Sequence, residues 1–473
     1  MAVLIGRERE REILQTCLES RKSEFVVVFG RRRVGKTYLV NQFFNGSFSF
    51  YATGTPNGKM RDELRVFEDS LYRYTGRKVK LADWIDAFSA LRDYLESGNV
   101  QREFQTGKRV VFIDELPWLD TPRSSFKAAL DYFWNSWASN QEDLIMIVCG
   151  SATSWIMNNV IYDTGGLYNR ITRQIFLAPF TLKECEQMLE VNGLQYSRHQ
   201  IIECYMVFGG IPYYLDFLDK RLSLTQNIDA LFFKPFGQLR NEYQRLYSSL
   251  FRNYKDHIGI VETLFRKKTG MTREEIINES QIKNGGTLTK ILRELEECGF
   301  IRSYSDFTKA KSGRVFQLVD ALSLFYLTFV NSRERSSWLD FIGTPKYYSW
   351  CGYAFERVCL LHTDQITEAL RISGMQNSVC SWKSRNADSG AQIDLLIDRK
   401  DNVVNVCEIK FASEPYAIDK AYGQNLIHKI ETFRTETGTR KALFLTFISS
   451  YGLVNNKYRN IVVNELREND LFL

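Results

Sequence analysis

Phe25-Val26-Val27-Val28-Phe29-Gly30-Arg31-Arg32-Arg33-Val34-Gly35-Lys36-Thr37-Tyr38 is an apolar run that delivers the chain into a loop of the form GxxxxGKT. The run reads as a strand, and the residues from Tyr38 onward read as the helix that should follow it. Two glycines let the backbone of such a loop curl until successive N–H groups face a phosphate. Lys36 then reaches the β- and γ-oxygens, and the Thr37 hydroxyl ligates Mg²⁺. The helix adds the positive end of its dipole. A Gly-rich turn that matches by accident is the plain alternative, and the strand before and helix after weigh against it. The loop therefore implies binding of ATP or GTP with Mg²⁺, with Gly30, Arg31, Arg32, Arg33, Val34, Gly35, Lys36, Thr37 and Tyr38 around the phosphates.

Residues 1 to about 180 alternate apolar strands with helical patterns, as a parallel sheet covered by helices on both faces requires. Strands are expected at 25–29, 48–52, 110–114 and 144–149. Arg109-Val110-Val111-Phe112-Ile113-Asp114-Glu115 brings two carboxylates to the C-terminal end of a strand, the edge where α/β ligands bind. This has the pattern of a Walker B segment. Asp114 is expected to hold Mg²⁺ through water, and Glu115 to orient the water that attacks the γ-phosphate. An acidic pair after an apolar run is also a common turn former, and the phosphate loop upstream gives this one its meaning.

Leu144 to Cys149 is followed by Gly150-Ser151. Ser151 either senses the γ-phosphate or belongs with Ala152-Thr153-Ser154 to a helix cap, and both readings stay open. Gly165 to Arg173 carries Arg170 and Arg173. These neutralise transition-state charge, within the subunit or across an interface, or they are merely solvated surface.

A chain of 473 residues suggests about three domains. The net charge of +6, from 62 basic and 56 acidic groups, permits a polyanionic partner without requiring one. Nine scattered cysteines with no CxxC pair, beside four histidines, argue against a zinc site or a disulfide framework and for reduced, mostly buried thiols. No apolar run approaches the ~20 residues of a membrane span. The opening Met1 to Gly6 meets Arg7-Glu8-Arg9-Glu10 without the apolar stretch of a signal peptide. A cytoplasmic protein with no membrane contact is expected.

Beyond residue 180 the pattern is helical. Phe208-Gly209-Gly210-Ile211-Pro212-Tyr213-Tyr214 breaks the backbone between helices, as suits a small lid over the nucleotide with Pro212 in it. From about 246 to 325 the order is three helices and then two strands, Phe300 to Tyr304 and Arg314 to Leu318, the order of a winged helix. Its last helix carries Lys290 and Arg293 but also Glu294, Glu296 and Glu297, so a DNA reader and an interdomain connector are equally compatible with it.

After about residue 335, Gln392 to Asp398 and Val403 to Lys410 read as a hairpin. Period two sets Glu408 and Lys410 on one face, with Asp394 able to meet them across the hairpin. Two carboxylates beside a lysine suit a Mg²⁺ site for phosphodiester hydrolysis, and Glu356 on a preceding helix can add a third carboxylate. A half-exposed hairpin with charges facing water reads equally well. A following helix through Ile418, Tyr422, Leu426, Ile430 and Phe433, then a strand from Ala442 to Ile448, would cover that sheet.

With these residues in view, the chain resembles the archaeal-type ATPases of the STAND division of AAA+ proteins. The likeness rests on Gly6-Arg7-Glu8-Arg9-Glu10, Gly30 to Thr37, Asp114-Glu115, Leu167 to Arg173 leading to Pro179-Phe180, and Gly209-Gly210-Ile211-Pro212, in the family's order. The resemblance implies that the first box lies near the nucleotide base and that the Gly-Gly-x-Pro element belongs to a lid. Asn169 departs from the glycine usual before the arginine, which leaves Arg170 less secure than Lys36.

The C-terminal third resembles the PD-(D/E)XK nuclease-like domain often fused to these ATPases, with Glu356, Asp394, Glu408 and Lys410 at its motif positions. Ile393 replaces the name-giving proline, and Gln392 an expected acid. The resemblance implies an α/β chain with a P-loop AAA+-type sheet at 1–180, a helical lid at 181–245, a winged helix at 246–330 and a restriction-endonuclease-like α/β domain at 335–473. It further implies an ATP-driven switch controlling a Mg²⁺-dependent nuclease acting on DNA, with a homo-oligomer or a protein partner. The alternative is a signalling or scaffold ATPase whose C-terminal domain binds nucleic acid or protein without cutting.

Overall fold

The apolar run at the start of the phosphate loop becomes β1 (Glu24–Phe29), buried along its whole length. In the computed structural model, which describes residues 4–473 apart from 163–164, 168, 252, 281, 283–284, 306, 308–313, 332–336 and 385–389, two compact units are present, Met1–Pro179 and Phe180–Leu473. Tyr168, within the expected Leu167 to Arg173 motif, lies outside the described residues.

The first unit is built on a five-stranded sheet of β1, β2 (Phe50–Thr53), β3 (Arg109–Asp114), β4 (Leu144–Gly150) and β5 (Arg173–Phe176), in the order β2-β3-β4-β1-β5. Every pairing is parallel. β3 and β4, like β1, are buried throughout, because helices cover both faces of such a sheet. One face packs on Phe25, Phe50, Phe67, Trp84, Phe88, Phe126 and Trp134, contributed by strands and by the helices Met60–Thr75, Trp84–Glu96 and Phe126–Ser136. Each such ring contributes roughly 1.5–3 kcal/mol relative to exposure. The strand order brings the ends of β1, β3 and β4 to one edge, side by side.

Three details differ from the sequence reading. β2 runs from Phe50 to Thr53, not over 48–52. The helix after the phosphate loop begins at Lys36, not Tyr38, so Lys36 and Thr37 occupy its first turn. β5 was not expected; its four residues alternate in exposure and open on an arginine, which hides the strand pattern.

The second unit opens with the helices Leu182–Val191 and Arg198–Phe208, each started by a capping box, Thr181 with Glu184 and Ser197 with Gln200. Gly209 and Gly210 both take left-handed backbone (φ 67° and 66°). A side chain on Gly210 would meet the Phe180 carbonyl oxygen at 2.3 Å. Pro212 then occupies the first turn of the helix Pro212–Leu215.

Further along, the helices Tyr254–Arg266, Arg273–Glu279 and Gly286–Glu297 accompany a small antiparallel sheet of β6 (Met271–Thr272), β7 (Ile301–Ser305) and β8 (Arg314–Leu318), ordered β6-β8-β7. A mixed sheet follows: β9 (Asn377–Lys383), β10 (Gln392–Arg399), β11 (Val403–Lys410), β12 (Ala442–Ser449) and β13 (Asn464–Leu466), ordered β13-β12-β11-β10-β9. β9 to β11 pair antiparallel and β11 to β13 parallel, with the helix Lys420–Thr437 as the crossover between β11 and β12. Ile418, expected on that helix, precedes it.

None of the nine cysteines is joined in a disulfide, and all but Cys380 are buried. Among the described residues no helix is long and apolar enough to cross a membrane.

Candidate functional site

The loop after β1 is held in a conformation that its glycines permit. Gly30 has φ 142°, and a Cβ there would lie 2.3 Å from the Leu177 carbonyl oxygen; Gly35 has φ 92°. Arg33, also left-handed at φ 72°, carries strain that the surrounding structure must hold. Arg7, from the Gly-Arg-Glu box, donates to the carbonyl oxygens of Val34 (3.4 Å) and Ala178 (2.8 Å), tying the start of the unit to the loop. Lys36 Nζ donates to the carbonyl oxygens of Gly30 and Arg31, both at 2.9 Å, so the ammonium sits over the cradle. Tyr38 is exposed, while Val34 is buried.

Beside this loop, Thr37 Oγ1 donates to Asp114 Oδ2 at 2.8 Å. The other oxygen, Asp114 Oδ1, accepts from the Glu115 N–H (2.8 Å) and from Cys149 Sγ. Burial and then the charge of Asp114 push the Cys149 thiol well above its usual range, so it stays a neutral donor. Glu115 adopts left-handed backbone (φ 48°) at the turn after β3. Its Oε2 accepts from Ser151 Oγ at 2.9 Å and from the Ser151 N–H at 3.2 Å.

The Ser151 donors meet the Glu115 carboxylate, an arrangement that neither of the two readings named. The helix Thr153–Ile156 starts from Ala152 without a side-chain cap. Arg170 is exposed in the turn before β5. Pro212 lies in the second unit. The sequence reading missed Cys149. Its signal is the β3–β4 register, which pairs Ile113 with Val148 and so sets position 149 beside Asp114.

The second constellation lies in the mixed sheet. β10 and β11 pair from Leu395 opposite Cys407 to Asp398 opposite Val404, which leaves Asp394 and Glu408 just beyond the paired stretch. Lys410 Nζ lies 3.3 Å from Glu408 Oε1. Lys429 Nζ donates to Glu408 Oε2 at 2.9 Å, and the Tyr422 hydroxyl donates to Oε1. Burial works to raise the Glu408 carboxyl, but Lys429, Lys410 and Tyr422 outweigh it and hold the group below the usual carboxylate range.

Asp394 Oδ1 accepts from the Gln392 amide at 2.6 Å, which gives the unexpected glutamine a role. Glu356, on the helix Pro345–Leu361, is pushed up to about 7 by burial and then by the charge of Asp394, against the pull of Arg357 and Lys410. The four residues thus share one electrostatic neighbourhood. Among the described residues, however, no three acidic, histidine or cysteine groups are gathered closely enough to hold a metal ion.

Residues 4–218 match the family described as an ATPase domain predominantly from Archaea. The chain is also similar to the uncharacterized protein MJECL04 of Methanocaldococcus jannaschii, 24% identical over 434 residues that cover 86% of this chain and 88% of the relative. Among solved structures it is similar to the Walker-type ATPase PABY2304 of Pyrococcus abyssi, with a TM-score of 0.46 and 18% identity over 68% of this chain and 96% of the other. The ORC2 protein of Aeropyrum pernix, in its ADPNP–ADP complexes, aligns with a TM-score of 0.40 and 14% identity over 76% and 96%. The stretch matched by that family contains the phosphate loop, Asp114-Glu115 and Ser151.

Proposed function

We propose that the ATPase domain acts as a switch over a Mg²⁺-dependent nuclease-like centre that works on DNA and is built from Glu356, Asp394, Glu408 and Lys410. At the nucleotide, the Thr37 hydroxyl and the Asp114 carboxylate are hard oxygen donors in direct contact, a donor set that fits Mg²⁺. Thr37 and Asp114 would hold the ion, which would supply positive charge against the phosphates. Lys36 leaves the Gly30 and Arg31 carbonyls for the phosphates. Glu115, oriented through Oε2 by the two Ser151 donors, keeps Oε1 to accept a proton from water and align it for attack.

One observation supports the nuclease half: buried Glu356 feels the charges of Asp394, Glu408 and Lys410, the last of them 3.3 Å from Glu408. All three carboxylates are oxygen donors of the kind Mg²⁺ takes, but they would have to draw closer together to share one ion. Glu408 would have to exchange Lys429 or Tyr422 for the ion. The protein is incubated with linear, circular and single-stranded DNA, and with RNA, in Mg²⁺ or Mn²⁺ with and without ATP, beside Asp394→Ala and Glu408→Ala. Cleavage by the wild type that both variants lose supports the proposal.

A second reading, a signalling or scaffold ATPase whose C-terminal domain binds without cutting, is favoured by the engagement of both Glu408 oxygens. It wins if wild type and variants bind nucleic acid alike and none cuts.

A further inference from the structure

A cavity of about 300 Å³ lies within the second unit, away from the hairpin acids in sequence. Its walls are apolar, with Leu264, Phe265, Leu324 and Leu327 among them, yet the charged residues lining it are all of one sign. Lys268, Lys346 and Arg357 line it, and among the described residues no aspartate or glutamate does. Lys268 and Lys346 are exposed and stand at its rim; Lys268 Nζ rests 3.3 Å above the Tyr353 ring.

Two buried donors lie deeper. Trp350 and Arg357 are each 5% exposed, and among the described residues Trp350 Nε1 and Arg357 Nη1 have no hydrogen-bond acceptor. An unmade bond on a buried donor costs roughly 1–3 kcal/mol, more for a charged one, so donors of this kind are normally satisfied. The remaining guanidinium nitrogens are committed: Nη2 donates to the Lys268 carbonyl at 2.6 Å and Nε to that of Leu318 at 3.3 Å.

An apolar cavity whose only charged lining residues, among those described, are cations is complementary to one kind of molecule. We propose that this cavity binds a small amphipathic anion, its apolar body against Leu264, Phe265, Leu324 and Leu327 and its carboxylate or phosphate head among Lys268, Lys346 and Arg357. The site stands independently of the nuclease reading, but Arg357 Nη1 also lies 3.9 Å from Glu356 Oε2. An anion drawing on that guanidinium therefore acts on the next residue of the same helix, which makes the cavity suited to an effector.

The test is calorimetric titration of the full chain with octanoate and with octyl phosphate, below their micelle concentrations, against octylammonium as the matched cation. Saturable one-to-one binding of at least one anion is expected, with octylammonium weaker by roughly tenfold or more. Whichever anion binds more tightly identifies the head group. Lys268→Glu/Lys346→Glu, which alters only exposed rim positions, should weaken anion binding by at least about tenfold, and Leu327→Trp, which fills the cavity, should abolish it. Absence of saturable anion binding, equal binding of octylammonium, or anion binding unchanged in the rim double variant overturns the proposal.

Discussion

Replacing Ser151 with alanine removes one hydrogen bond and leaves its neighbour. The hydroxyl donates to Glu115 Oε2 at 2.9 Å, while the backbone N–H of the same residue donates to the same oxygen at 3.2 Å and survives the change. A hydrogen bond to a charged group is worth roughly 1.5–3 kcal/mol. Expressed wholly in the transition state, that loss lowers kcat by about tenfold to about 150-fold. The retained N–H keeps the carboxylate partly aligned, so the lower end, about tenfold, is expected.

The Ser151 hydrogen bonds go to Glu115, so ATP affinity should stay within about twofold of wild type. Phosphate release under steady state gives kcat, and titration with ATP gives the affinity. Ser151→Thr, which keeps a hydroxyl, should recover most of the rate. A helix cap would show the opposite pattern, a lowered melting temperature with unchanged turnover. Hydrolysis by Ser151→Ala within twofold of wild type would refute the reasoning.

Gly30→Ala places a Cβ 2.3 Å from the Leu177 carbonyl oxygen at φ 142°. It should destabilise the first unit by about 2–5 kcal/mol in denaturant unfolding, against a loss under 0.5 if the loop simply relaxes. His362 is buried and neutral: its Nδ1–H donates to the Val358 carbonyl (2.8 Å) and Nε2 accepts from the Leu182 N–H (3.0 Å). Burial pushes its pKa from 6.5 down to about 4, against a weaker upward pull from Val358. A base lowered on folding contributes stability that is full above 6.5 and is lost as pH falls toward 4. The advantage of wild type over His362→Asn should therefore shrink by about 3 kcal/mol across that window; a pH-independent difference contradicts the assignment. Lys429→Met removes one of the cations holding Glu408 down, so its carboxyl should titrate at higher pH by NMR, and an unmoved titration argues against that ion pair.

Most of the ATPase half was legible because its chemistry sits at strand ends. Phosphate loop, Asp114-Glu115 and Ser151 each follow an unbroken apolar run, and buried parallel strands advertise themselves that way. β5, β9 and β13 were not legible: they are short or half-exposed, with polar residues on one face, and only pairing with neighbours makes them strands. The hairpin was read correctly as two strands at 392–398 and 403–410, and β10 and β11 match it within a residue.

The partners of Glu408 were missed for a different reason. Tyr422 and Lys429 stand seven apart on the crossover helix, on the same stripe as Leu426 and Phe433, and Tyr422 was counted as apolar. Two polar tips on a buried stripe were the available signal. No sequence periodicity shows which carboxylate such tips will reach, since that depends on how the helix lies over the sheet.

The central claim is that Lys36, Thr37, Asp114, Glu115 and Ser151 form one ATP-hydrolysing centre. Single-turnover hydrolysis and ATP affinity measured together on wild type, Lys36→Ala and Glu115→Gln test it most directly. Lys36→Ala should lose affinity and turnover together, whereas Glu115→Gln should bind ATP normally and hydrolyse it roughly 10²–10⁴-fold more slowly. Wild-type turnover in either variant would contradict the account.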